Sequence, residues 1–212
     1  MTSQYCTIYL VRHGETYGNV DQIIQGHSDV PLTEKGGQQA CERRSNLKHI
    51  CFSKVYSSDL IRAHRTAEIL NLERKCVHQT TKLLRERYFG SYEGKKQEEG
   101  RRMELWNLLD SYAQYKHSHI SEAGIETNEQ MVSRGFSFLR EVSLVHLGET
   151  ILVVSHSGLM RVLLVYLGYA QPSQFIHGSS AAIQNLAYIK FECDGVEFEV
   201  KETSGITLKK EV

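Results

Sequence analysis

Proline is close to absent from this chain: Pro31 and Pro172 are the only two in 212 residues. With no proline-rich or low-complexity linker and no internal repeat, nothing marks a domain boundary. The length suits one sizeable core, so one domain is expected over 1–212. Net charge is absent too, 25 basic residues standing against 25 acidic ones. Without a global field of either sign, neither nucleic acid nor an anionic membrane is an expected partner. No apolar run approaches the ~18–20 residues of a membrane-crossing helix. Met1-Thr2-Ser3-Gln4 carries neither the basic region nor the apolar stretch of a secretion signal. The cysteines, Cys6, Cys41, Cys51, Cys76 and Cys193, are odd in number and form no CxxC pair. They read as free thiols in a reducing compartment, and a cytoplasmic location is expected.

Metal and nucleotide signatures are missing as well. The chain has ten histidines but no His-Glu-x-x-His, and His117-Ser118-His119 reads as an exposed loop pair. Gly90-Ser91-Tyr92-Glu93-Gly94-Lys95 puts three residues between its glycines, where a P-loop needs four, and Lys96 stands where its Ser/Thr ligand belongs. No metal and no cofactor are expected.

What is present is a strand that ends on charge. Ile8 to Val11 is an apolar run that reads as a buried strand, and Leu10-Val11-Arg12-His13-Gly14-Glu15-Thr16 continues from it. A guanidinium and an imidazole are thereby presented at a strand's carboxyl edge, with Gly14 expected to let the backbone turn sharply. Open α/β sheets bind ligands outside those edges. An Arg beside a His there suits a doubly charged anion such as phosphate. Alone, such a histidine is commonly structural, but the pattern recurs. The apolar run Ile151-Leu152-Val153-Val154-Ser155 delivers His156-Ser157-Gly158 to the start of a predicted helix through Tyr166, and helix N-termini attract anions. Between the two, a strand over Lys54 to Ser57 leads into Ser58-Asp59-Leu60-Ile61-Arg62-Ala63, with Ser58 or Asp59 as candidate N-cap. Arg62 then sits in the first helical turn. A cation opposes the dipole there, and an anion shared with Arg12 would offset that cost.

Other segments complete an alternating pattern. Thr33 caps a helix running to Leu47, and Lys75 to Gln79 is a short strand. Gln97 to Tyr115 is helical, with Met103, Trp106, Leu109 and Ala113 on one stripe. His117 to Glu126 is a loop that could edge the site, and a helical insertion or cap is expected over about 95–126. Thr127-Asn128-Glu129-Gln130 is a capping box opening a helix through Val145. Leu186 to Cys193, Asp194-Gly195 and Val196 to Lys201 form a hairpin. Strands alternating with helices imply a layered α/β domain, and the terminal hairpin makes the sheet mixed.

Five segments in order resemble the histidine phosphatase superfamily, with its phosphoglycerate mutase-like fold. They are Arg12-His13-Gly14-Glu15-Thr16 with Asn19; Gln25-Gly26-His27-Ser28-Asp29-Val30-Pro31-Leu32-Thr33-Glu34-Lys35-Gly36; Ser57 to Ala63 continuing through Thr66-Ala67; Leu84-Arg85-Glu86-Arg87-Tyr88-Phe89-Gly90-Ser91-Tyr92-Glu93-Gly94; and Val154-Ser155-His156-Ser157-Gly158. The resemblance spans about Ile8 to Phe191. Within the family, Ile23-Ile24-Gln25-Gly26 and Leu84-Arg85-Glu86-Arg87 are most similar to the fructose-2,6-bisphosphatase-like and broad-specificity phosphatase branch. The fold implied is a three-layer α/β/α sandwich around a mixed, mostly parallel sheet.

The chemistry follows from four residues and a carboxylate. Arg12 and Arg62 can each grip phosphoryl oxygens bidentately and repel any metal cation. Either His13 or His156 could attack phosphorus, since nearby arginines disfavour the imidazolium. The residues alone do not choose between them; the resemblance assigns His13 as nucleophile and His156 as a donor to the phosphoryl group. Glu86 is the candidate general acid, then the base that activates water, with Glu15 as the runner-up carboxylate. The resemblance adds Asn19, Gln25, Gly26 and Ser157 as substrate contacts, with Arg87 and Phe89 for the rest of the substrate. Related mutases carry Tyr where Phe89 stands.

These features imply a metal-independent phosphatase acting on phosphomonoesters of small metabolites, such as sugar bisphosphates or phosphoglycerates, through a phosphohistidine. The alternative is a 2,3-bisphosphoglycerate-dependent phosphoglycerate mutase. Mutases of this type are longer and carry an arginine-rich insertion after the acid/base segment; here Lys95, Lys96, Arg101 and Arg102 read equally well as a solvated helix face. A non-catalytic phospho-ligand binding module is disfavoured, because every expected catalytic side chain is present.

Overall fold

The structure is a computed structural model and describes residues 4–97, 124–171, 174 and 183–208. Its strands are β1 (Cys6–Arg12), β2 (Lys54–Ser58), β3 (His78–Thr81), β4 (Thr150–Ser155), β5 (Ile183–Cys193) and β6 (Phe198–Ile206). Its helices are α1 (Tyr17–Val20), α2 (Glu34–Asn46), α3 (Ile61–Asn71), α4 (Asn128–Val145) and α5 (Ser157–Tyr166), with short 3-10 turns at Lys82–Leu84 and Gly90–Tyr92. The strands form one sheet in the order β3-β2-β4-β1-β5-β6. The first four of that order run parallel, β5 lies antiparallel to β1, and β6 antiparallel to β5. The sheet is therefore mixed and mostly parallel, as expected.

Strand alternation splits the apolar residues between two faces. Ile8, Leu10, Ile151 and Val153 join a core with Met131, Phe138 and Leu139 of α4 and Leu159 and Leu163 of α5. Tyr9, Val11, Leu152 and Val154 join a second core with Ala40 of α2 and Ala63, Ala67 and Leu70 of α3. Two cores on opposite faces of one sheet make the three layers.

Local signals placed most elements. Thr33 caps α2 through a bond from Gly36 N–H, and Thr127 with Gln130 forms the capping box of α4. Three expectations need correction. Neither Ser58 nor Asp59 is the N-cap of α3. That residue is Leu60, which has no capping side chain. Asp59 is instead held by Arg85 through two bonds of 2.8 and 2.6 Å, and the Ile61 N–H donates to Asp29 Oδ1 at 2.6 Å. The strand over Lys75 to Gln79 begins later, at His78. Lys75 adopts a left-handed φ of 53°, and Asn71 clasps both the N–H and the C=O of Cys76, which prolongs the turn after α3. The hairpin tip is longer than Asp194-Gly195. Asp194 Oδ1 accepts from the Val196 and Glu197 N–H groups, so β6 starts only at Phe198. The stripe of Met103, Trp106, Leu109 and Ala113, the basic pair Arg101 and Arg102, and most of the expected cap over 95–126 lie outside the described residues.

Candidate active site

Parallel register builds the site. Arg12 stands opposite Ser155 at the carboxyl ends of β1 and β4, and the His13 N–H donates to Ser155 O at 3.0 Å. The residues that leave the two strands, His13 and His156, consequently lie side by side, their ring centroids 5.1 Å apart. β2 ends on the same edge, and the loop after it feeds α3, whose first turn carries Arg62. All four side chains are buried.

The ring of His13 has a fixed tautomer. Its Nδ1 lies 2.7 Å from Gly14 O. A carbonyl only accepts, so Nδ1 carries the proton and Nε2 keeps its lone pair. Burial, followed by Arg62 and then Arg12, holds the His13 pKa well below the usual histidine value; the Gly14 bond opposes this in part. His156 is lowered in the same sense by burial, Arg62 and His13. Its two ring nitrogens have no hydrogen-bond partner among the described residues.

Arg62 is aimed by backbone. Its guanidinium donates to Ser28 O at 2.8 Å and Gly26 O at 2.7 Å, while Arg12 Nη1 donates to Ile183 O. Burial lowers both arginines to about 10, so they stay charged at neutral pH. The largest opposing influence on each is the charge of Glu86. Desolvated guanidiniums beside neutral imidazoles form a pocket suited to a small anion.

Glu86 closes the site from the N-terminus of α5. Its Oε2 accepts from Gly158 N–H at 2.9 Å and from Ser157 Oγ at 3.4 Å, and its Oε1 accepts from Arg87 N–H at 2.8 Å. Gly158 allows this approach, because a Cβ there would fall 2.1 Å from Glu86 Oε1. The Glu86 carbonyl accepts from His27 Nε2 and Arg134 Nη2.

The remaining expected contacts have definite places. Asn19 Oδ1 accepts from Thr16 N–H in the capping box of α1, which leaves the Asn19 amide N–H groups to donate. Gln25 Oε1 accepts from Thr16 Oγ1. Gly26 has a φ of 50°, and its missing Cβ leaves room for Glu93, which binds the His27 and Phe89 N–H groups. Arg87 donates to Glu126 O at 2.6 Å and to Asn128 Oδ1 at 2.5 Å, and burial lowers it to about 10. Phe89 is half-buried at the start of the second 3-10 turn. Glu15, the runner-up carboxylate, is paired with Lys35 at 2.9 Å and accepts from Thr33 Oγ1.

Gly14 is small for a reason other than a sharp turn. Its backbone is not left-handed; a Cβ would lie 2.6 Å from Gly36 O, and one on Gly36 would lie 2.1 Å from Glu15 O. The loop after β1 and the first turn of α2 touch backbone to backbone. Sequence reasoning missed Asn185, Arg134, Glu93 and Asp29, all polar residues that act across long chain separations. Gly36, a glycine within a helical pattern, was a readable sign of close packing. Among the described residues no group of three or more His, Cys, Asp or Glu side chains is placed to hold a metal ion, and no helix is long and apolar enough to cross a membrane.

A cation-rich pocket with paired histidines at the carboxyl edge of a mixed α/β sheet defines a phosphoryl-handling enzyme. Residues 8–204 match the model of the histidine phosphatase superfamily, branch 1, and the chain belongs to that family as an enzyme of the histidine phosphatase type. It is similar to phosphoglycerate mutase-like protein 4 of Arabidopsis thaliana, 36% identical over 75% of this chain and 70% of that one. It is also similar to the adenosylcobalamin/alpha-ribazole phosphatase of Escherichia coli K12, 30% identical over 76% and 78%. Among solved structures it resembles YhfR of Bacillus stearothermophilus, with a TM-score of 0.79 at 28% identity over 95% of this chain and 98% of that one.

Proposed function

We propose that the chain is a metal-independent phosphatase that hydrolyses phosphomonoesters of small metabolites through a phosphohistidine on His13. The observation that carries this reading is the buried His13 ring, its Nδ1 proton given to Gly14 O and its charged form disfavoured by burial and by Arg62 and Arg12. His13 Nε2 attacks phosphorus as the ester P–O bond breaks, and Glu86 gives its proton to the leaving alkoxide. Arg12, Arg62 and His156 stabilise the transferring group in its planar transition state. Glu86 then takes a proton from water, which attacks the phosphohistidine; the N–P bond breaks and phosphate leaves. Asn19, Gln25, Gly26 and Ser157 border the phosphoryl group, while Arg87 and Phe89 shape the surroundings of the leaving group. Sugar bisphosphates and phosphoglycerates are the proposed substrate class, in keeping with the resemblance to the broad-specificity and fructose-2,6-bisphosphatase-like branch.

The mutase reading draws on the Arabidopsis relative; phenylalanine at position 89 and the phosphatase name of the Escherichia coli relative favour hydrolysis. One experiment tests both chemistry and class. With phosphoglycerates and fructose bisphosphates in excess chelator, phosphate release should persist, and labelled substrate should leave an acid-labile, base-stable adduct that His13→Ala lacks. Isomerisation of 3-phosphoglycerate primed with 2,3-bisphosphoglycerate that outruns phosphate release would promote the mutase reading.

A further inference from the structure

β5 enters the sheet through an irregularity. Its pairing with β6 holds at Ile183↔Ile206 and resumes at Tyr188↔Ser204, so five residues advance on one strand against two on the other. Inside this bulge Leu186 has a φ of 59°. A leucine in the left-handed region is strained and persists only where its surroundings impose it. Leu186 is buried and belongs to the same core as Val11 and Tyr188. The facing strand makes room with Gly205, where a Cβ would meet Ala187 at 3.1 Å.

The bulge sends polar groups to the site. Ile183 O accepts from Arg12. Asn185 Nδ2 donates to His13 O at 3.1 Å and reaches Asn19 Oδ1 at 3.5 Å. On the other side of the same peptide unit, Gly14 N–H donates to Thr66 Oγ1 at 3.1 Å. The plane between His13 and Gly14 is thus held at both ends, its oxygen by Asn185 and its nitrogen by Thr66. Gly14 O in turn holds the His13 ring. Rotation of that plane would swing the ring and its Nε2 off line.

We propose that Asn185 is a positioning residue for the nucleophile, with the left-handed bulge at Leu186 fixing its direction. This rests on the reading of His13 as nucleophile. Strain in the backbone is conserved as aim: the core holds Leu186, Leu186 sets Asn185, and Asn185 sets the peptide that carries the attacking ring. The stronger bond of the Asn185 amide goes to His13 O and the longer one to Asn19 Oδ1, so its loss should slow attack far more than it weakens the hold on phosphate.

The test uses the full chain as Asn185→Ala and Asn185→Ser, with p-nitrophenyl phosphate in rapid quench and inorganic phosphate as the binding probe. Misplacing a reacting atom by about 1 Å can cost on the order of 10²-fold. Formation of the acid-labile adduct should therefore slow by about 10–100-fold in both variants, while the Kd for inorganic phosphate stays within about threefold. Adduct formation within about twofold of wild type, or a rate that falls only in step with phosphate affinity, would overturn the proposal. Failure of the underlying reading shows elsewhere: wild type would release p-nitrophenolate with no acid-labile adduct, which removes the nucleophile assignment and this proposal with it.

Discussion

Glu86 depends on an atom that is not there. With Gly158 at the second position of α5, the carboxylate can lie directly on the helix N-terminus. A methyl group would collide with its Oε1 and Cδ, at 2.1 and 2.9 Å, and so, under the proposed mechanism, would drive the acid away from the leaving group. Gly158→Ala should slow hydrolysis of alkyl phosphates by about 10²-fold or more, the usual scale of general acid catalysis. p-Nitrophenyl phosphate, whose leaving group needs no proton, should lose much less. The fold should survive, since alanine is the better helix former. Equal losses on both substrates would assign Glu86 a role in binding instead. At this scale the sequence was most readable where chemistry and chain order coincide. Arg12 and His13 follow an apolar strand, and so does His156. Glu86 was named as the acid only through its family segment, and nothing local announced that Gly158 would lie against it.

The helix that carries Arg62 is capped by a residue 32 positions earlier. Asp29 Oδ1 accepts the Ile61 N–H, and the neighbouring carbonyls of Gly26 and Ser28 orient the guanidinium. One loop therefore both starts α3 and aims its arginine. Asp29→Ala should cost about 0.5–2 kcal/mol, the usual worth of an N-cap. For a chain of this size that is a fall in melting temperature of roughly 2–4 °C per kcal/mol. Phosphate affinity should fall with it. Ser58→Ala, at the position the sequence offered as a cap, should change both far less, and the reverse order would return the cap to Ser58. This element shows where local reading stops. Thr33 and Thr127 cap the helices that follow them directly, and the pattern of hydroxyl and carboxamide spacing sufficed. Ser58 and Asp59 have the same chemistry, but Arg85 draws Asp59 away and a distant loop supplies the cap. Competition between partners far apart in sequence has no signature in a local window, and the bulge that directs Asn185 was hidden for the same reason.

For the molecule as a whole, histidines kept neutral by burial, His13 and His156 above all and the half-buried His78 in the same sense, make stability depend on pH. In the unfolded chain all three titrate near 6.5, and in the native state His13 and His156 lie well below that value. Between the two values the unfolded state binds more protons, so stability rises with pH through that window. It is fully present above about 6.5 and is lost as pH falls below it, each histidine adding a slope of about 1.4 kcal/mol per pH unit. Urea unfolding in phosphate-free buffer should give a plateau above pH 7 and a decline from pH 6.5 to 5.5. His156→Gln should lessen that decline. An unchanged slope in the variant would mean that other groups dominate. The lowered carboxylates Glu15 and Asp59 start from ordinary values near 4, so their contribution falls below this window.

The contact between Gly14 and Gly36 has a consequence for any attempt to alter this loop. Most tight contacts in a protein can be relaxed by trimming the neighbour, and a damaging substitution on one side is then suppressed by a smaller residue on the other. Here each position faces main-chain atoms, the Gly36 carbonyl on one side and the Glu15 backbone on the other. Gly14 meets a residue that is already glycine, and what Gly36 meets is the main chain of Glu15, which no side-chain substitution removes. A screen for second-site suppressors of Gly14→Ala or Gly36→Ala would have nothing to remove at the partner position, so recovery would require moving α2 itself. The pair forms a dead end for mutation, and the loop bearing His13 is tied to the start of α2 by the lack of any side chain between them.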